Sequence, residues 1–129
     1  MSRSTKKENL LFCIVSTLIS TFGILLILKS NGFYPFKEVT LFTFDMKEQY
    51  LPFFSSLHYL IGGDDSIFFH WSKSLGGNYI GLYAYYLASP FSWLTTLFSI
   101  EKLPLAIFLM TVSKISLSGL TFSVYVNFL

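Results

Sequence analysis

"LLFCIVSTLISTFGILLIL", residues 10–28, decides how this chain is read, because it runs for 19 residues without a charge. As an α-helix rising 1.5 Å per residue it extends about 28 Å, close to the roughly 30 Å hydrocarbon core of a bilayer. Arg3, Lys6 and Lys7 precede it, as basic residues precede the apolar run of a secretory signal. Such a run is ordinarily about 7–15 residues long and leads to a small-residue cleavage site. Here the chain continues as "ILKSNGFYPF", with no such site. The expectation is a short basic N-terminus over 1–8 and an uncleaved membrane helix over 9–28.

The rest of the composition agrees. Of 129 residues, 53% are hydrophobic, 19% aromatic and 12% charged, about half the charge of an average soluble domain. A water-exposed chain of this size has too little core to hide that much apolar surface, so lipid is the natural solvent for the excess. The net charge of +2 is small and scattered, which argues against nucleic acid as a partner. Cys13 is the one cysteine, so an internal disulfide is excluded, and within an apolar run it reads as a small packing residue.

Two further apolar segments follow. Ser74 to Ile100 is free of charge, with Gly76, Gly77 and Asn78 as an opening turn and Pro90 as an interruption. The piece after Pro90 is too short to span alone, so one helix over 78–100, kinked at Pro90, is expected. The third segment, 103–129, is apolar except for Lys114, and Pro104 suits its first turn. It reaches Leu129 without polar punctuation, which points to a longer parent chain. The fold class is therefore all-α transmembrane, with about three membrane helices and a loop over 29–77. That loop holds Lys29, Lys37, Lys47 and Lys73 against five acids, whereas residues 1–8 hold three basic side chains against Glu8. The positive-inside rule then makes the N-terminus cytoplasmic and the loop external.

Within the loop, "DMKEQYLPFF" (45–54) opens an amphipathic helix expected over 45–61 and lying in the membrane interface. At 100° per residue, Met46, Tyr50, Phe53, Phe54, Leu57, Leu60 and Ile61 fall within about 120° of arc. Asp45, Gln49 and Ser56 gather opposite, and Pro52 demands a kink. Asp45 has two readings. With Glu48 three residues on, it has the spacing of a capping box, a contribution of about 1 kcal/mol that needs no chemistry. With Gln49 four residues on, it shares a face where a carboxylate acts as general base and an amide orients a hydroxyl.

Other candidates carry less. Asp64 and Asp65 offer hard oxygen ligands to a divalent cation, but adjacent acids in a Gly-rich turn are more often solvated. His58 and His70 lack metal-ligand spacing and read as packing residues, so no metal site is assigned. Trp71, Tyr79, Tyr83, Tyr85 and Tyr86 read as an interfacial aromatic belt, with sugar stacking as the rarer use. Lys114 is sharper, since a charge near mid-membrane costs about 2.5–3.5 kcal/mol on insertion scales. It calls for a polar cavity, a counter-charge from further helices, or a ligand such as a lipid-linked phosphate.

Four stretches in order, "GFYPF" (32–36), "DMKEQYLPFF" (45–54), "SLGGNYIGLYAYYLASPFSWL" (74–94) and "LPLAIFLMTVSKISLSGLTF" (103–122), closely resemble the N-terminal part of the YfhO family of bacterial multi-pass membrane proteins. The resemblance implies a partial GT-C-like fold, with short helices parallel to the membrane in the first external loop. It also implies a glycosyltransferase that takes a polyprenyl-phosphate-linked sugar as donor, with or without a divalent metal. The implied acceptor is a cell-envelope polymer such as lipoteichoic acid. The catalytic acid of such enzymes usually lies in the first external loop, where the matching position is Asp45. Gln49 and Tyr50 carry over as neighbours that shape the site, and Lys114 as a structural or phosphate-facing residue. Family members are several times longer, so a three-helix piece, without the remaining helices, is expected to be inactive alone. Two other readings stand beside this one: a transporter lined by Asp45 and Lys114, and a non-catalytic membrane subunit.

Overall fold

The charge-free run over 10–28 lies inside a longer helix, α1 (Arg3–Ser30), in a computed structural model that describes residues 3–64, 66–71 and 76–128. Much of its apolar surface faces outward, with Leu18, Ile19 and Phe22 each more than 60% exposed. In water such a surface would invite aggregation, whereas against acyl chains it is a normal exterior. The helix ends where the Gly32 and Phe33 amides turn back to the carbonyls of Lys29 and Leu28, at 3.1 and 2.9 Å. Among the described residues two helical stretches, Lys6–Ser30 and Ile100–Phe128, are long and apolar enough to cross a membrane. That is one fewer than the sequence suggested. No extended strand forms among the described residues, only the isolated bridges Phe33–Val39 and His70–Gly77.

The chain divides into two compact units, Met1–Val39 with Thr111–Leu129, and Thr40–Met110. In the first, α1 runs antiparallel to the later turns of the C-terminal helix. The Ser16 hydroxyl donates to the Gly119 carbonyl at 3.2 Å, and the Thr21 hydroxyl to Ser116 Oγ at 2.7 Å. Further along, Asn127 Nδ2 donates to the Asn9 carbonyl and approaches Cys13 Sγ, both at 3.4 Å. Small residues set this contact: a Cβ on Gly119 would overlap the Ser20 side chain and sit 3.3 Å from the Ser16 carbonyl. Close backbone approach of this kind is how helices associate in lipid, where hydrophobicity alone gives no drive. Other hydroxyls are satisfied within their own helix, as Thr17 is on the Cys13 carbonyl at 2.8 Å and Ser116 on Val112 at 2.8 Å.

The second unit has its own core. It gathers Phe54 and Leu57 from α2 (Leu51–Gly62), Tyr79 and Leu82 from α3 (Tyr79–Leu82), then Leu87, Leu103, Ile107 and Met110. The last three come from the first turns of α4 (Leu103–Phe128). Residues 78–100 are therefore not one kinked membrane helix. Asn78 caps α3 by accepting the Ile80 amide at 2.8 Å. The chain then widens into a π-turn (Tyr83–Leu87), breaks at Ser89-Pro90, and continues as 3₁₀ segments Ser92–Leu97 and Ile100–Lys102. The physical cause is Pro90, which has no amide to give and whose ring conflicts with the carbonyl four residues back, at Tyr86. Widening upstream relieves the conflict, and the apolar residues fold onto a protein core instead of facing lipid.

The loop between α2 and α3 is closed by His70 and Gly77, which exchange amide–carbonyl bonds of 2.9 and 3.0 Å. Gly76 beside it has φ +93, and a Cβ there would overlap the Phe69 ring. A left-handed backbone alone costs a side chain about 1–2 kcal/mol. Gly76→Ala is thus expected to lower the melting temperature of the purified protein, whereas Gly81→Ala, which meets open space, is expected to leave it level or raise it.

Candidate functional site

The chain approaches Asp45 through a tight turn. Phe44 has φ +48, an unusual backbone for an aromatic residue, and its side chain is 91% exposed. This turn aims two carbonyls at the start of the following helix. The Met46 amide bonds to Thr43 O at 3.1 Å, and the Lys47 and Glu48 amides both bond to Phe44 O, at 3.0 and 3.2 Å. The donors that a capping side chain would satisfy are thus taken by the main chain. Asp45 itself has helical dihedrals, φ −56 and ψ −28, and makes no cap hydrogen bond. The capping box expected with Glu48 does not form. A capping residue needs an extended backbone, and the Phe44 turn has already curled the chain. The carboxylate is left exposed.

From Met46 to Tyr50 the backbone is a π-turn, closed by the Leu51 amide on the Met46 carbonyl. Pro52 follows, and it widens the preceding turn as Pro90 does in the other segment. Such wide turns recur at functional sites. On this one, Gln49 is exposed and its Oε1 accepts the Tyr86 hydroxyl at 3.3 Å. Tyr86 lies in the second π-turn, and its ring meets Tyr50 edge-on at 5.4 Å and 86°. Phe53 packs on the same ring at 4.7 Å, and the 81% exposed Tyr85 lies beside it at 4.5 Å. The two π-turns therefore bring Gln49 and Tyr50 onto Tyr86, one helical turn from Asp45.

Sequence reasoning missed Tyr86 as a member of this group. Spacing cannot reveal a partner 37 residues away; the only available signal was a Tyr-Tyr pair just before a proline. Of the five aromatics read as a belt, Tyr79 is core at 1% exposure and Tyr83 accepts the Trp93 indole N–H at 3.1 Å, whereas Trp71 and Tyr85 are exposed. Two positions on α2 exchange roles: Ser56 is buried, donating to Phe53 O at 2.8 Å, while Ile61 is 52% exposed.

Lys114 belongs to the first unit, and Asp45, Gln49 and Tyr50 to the second. It is exposed on α4, midway along the Ile100–Phe128 stretch, 14 residues from either end. Among the described residues no group of three or more His, Cys, Asp or Glu side chains gathers as a metal site. Buried His70 lies edge-on to Tyr79, and His58 Nε2 donates to Thr95 O at 3.0 Å. Asp65 and Lys73 lie outside the described residues, as do Ser72, Ser74, Leu75 and Leu129. The second unit also holds a cavity of about 380 Å³ between Leu57, Leu60, Ile67, Ile80 and Trp93. Its lining suits hydrocarbon rather than a sugar hydroxyl.

No match is found among curated proteins or among solved structures. A family model described as "Bacterial membrane protein YfhO" matches residues 16–128. That range takes in most of α1, the Asp45 turn, both π-turns and α4, and the chain belongs to the YfhO family of bacterial membrane proteins.

Proposed function

We propose that this chain forms the N-terminal part of a membrane glycosyltransferase, with Asp45 as its general base. The donor is a polyprenyl-phosphate-linked sugar and the acceptor a hydroxyl of a cell-envelope polymer of the lipoteichoic acid kind. The observation that carries the reading is the exposed Asp45 carboxylate, which makes no cap hydrogen bond and stands at the start of the wide turn that carries Gln49. Family membership places it in a bacterial membrane protein. In the reaction, the acceptor O–H gives its proton to Asp45 while its oxygen attacks the anomeric carbon. The bond from that carbon to the phosphate oxygen breaks, its electron pair leaves with the polyprenyl phosphate, and the configuration inverts. Gln49 and Tyr50 shape the acceptor side. Such a step also requires positive charge for the departing phosphate. The basic N-terminus is cytoplasmic and the Asp45 loop external, where envelope polymers are.

A transport reading draws on Lys114, a charge at the midpoint of a membrane-spanning stretch. Detergent separates the two. Solubilised membranes have no leaflets to cross, so a transporter becomes dispensable there. Membranes from cells lacking the gene should fail, after solubilisation, to move sugar from lipid-linked donor to extracted polymer. Transfer that persists in detergent but is lost in whole cells would favour transport, and Lys114→Met should then abolish flux alone.

A further inference from the structure

We infer that Tyr86 is a positioning residue for this site: its hydroxyl holds the Gln49 amide so that the amide N–H groups are presented to the acceptor hydroxyl. The inference rests on the reading of Asp45 as base. Tyr86 donates to Gln49 Oε1 at 3.3 Å. An amide whose oxygen is taken in this way turns its two N–H donors away from the tyrosine. An ionised carboxylate such as Asp45 only accepts. An acceptor and a donor one helical turn apart hold a single hydroxyl by both of its functions. The O–H points to Asp45, and an oxygen lone pair receives a Gln49 N–H.

Gln49 alone cannot hold that pose, because it is an exposed, flexible side chain. Tyr86 can hold it. Its ring is fixed edge-on to Tyr50 at 5.4 Å, against Phe53 at 4.7 Å and beside Tyr85 at 4.5 Å. The adjoining Leu87 is fully buried in the core. The hydroxyl is therefore a fixed point on a rigid element, the condition under which a flexible neighbour becomes pre-organised.

The test is a double-mutant cycle in the full-length gene product. Solubilised membranes supply the host's lipid-linked sugar, and envelope polymer from the gene-deleted strain is the acceptor. Tyr86→Phe keeps the ring and removes only the hydroxyl. It should lower kcat/KM for the acceptor about three- to tenfold, the range of one neutral hydrogen bond. The donor KM and the melting temperature should not move. Gln49→Ala should lose at least as much, and adding Tyr86→Phe to Gln49→Ala should lose nothing more, because the hydroxyl acts only through the amide. Losses that multiply, or a silent Tyr86→Phe in a protein that Asp45→Asn inactivates, overturn the positioning role and leave the base reading standing. Full transfer by Asp45→Asn overturns both.

Discussion

Asp45→Asn should lower sugar transfer by about a hundredfold or more while protein level and melting temperature stay unchanged. The size follows from chemistry, since an amide cannot take the acceptor proton. The unchanged stability follows from the main chain, which already satisfies the amides of Met46, Lys47 and Glu48 through Thr43 and Phe44. Asp45→Ala extends the argument. Were the side chain a cap, Ala would cost about 1 kcal/mol and Asn almost nothing. With the cap absent, both variants should melt like the parent and both should be inactive. A drop in melting temperature confined to Ala would return Asp45 to a structural role. Sugar on the extracted polymer, read by mass analysis, together with thermal melting, distinguishes these outcomes.

Gly119→Ile should separate α1 from α4. The new side chain would meet Ser20 and the Ser16 carbonyl, neither of which is a flexible chain end. Relief requires the helices to part, which sacrifices the Ser16–Gly119 and Thr21–Ser116 hydrogen bonds. Overpacking at about 1–3 kcal/mol and two interhelical bonds at roughly 0.6 kcal/mol each suggest a loss of about 2–4 kcal/mol. Gly23→Ala, which meets open space on α1, is the control and should be neutral. The native Cys13 gives a direct reading, because Asn127 Nδ2 lies 3.4 Å from its sulfur. Asn127→Cys should cross-link to Cys13 through a short thiol-to-thiol reagent in detergent, and Gly119→Ile should reduce that yield sharply. An undiminished yield would mean that the helix pair does not depend on close approach at Gly119.

The two long helices were legible in a charge-free run of 19 residues over 10–28 and in an apolar segment after Leu103 that carries Lys114 as its one charge. The segment after Asn78 was not. Hydropathy records only that Tyr79, Leu82 and Leu87 avoid water, and a protein core satisfies them as well as lipid does. Pro90 was visible as an interruption, but a kink and a full break share one sequence signature, and the packing of α2 and α4 decides between them. Asp45 illustrates a second limit. Its spacing to Glu48 meets the side-chain requirement of a capping box, but the motif also needs an extended backbone at Asp45. A single positive φ at Phe44 removes that condition. The prominence of Asp45 could be read locally, whereas the Gln49–Tyr86 contact depends on how two separate turns fold together.

A π-turn carries one residue more than the α-turn it replaces. Removing one residue between Tyr83 and Leu87 would let ordinary helix form there and rotate the positions on one side of the deletion by about 100°. Tyr86 would then be aimed elsewhere, although no chemical group of the site had been altered. Insertions and deletions of one residue in these two short stretches therefore change which side chains the turns bring together. Alignments of relatives that place gaps there freely would erase the feature that decides which side chain meets Gln49.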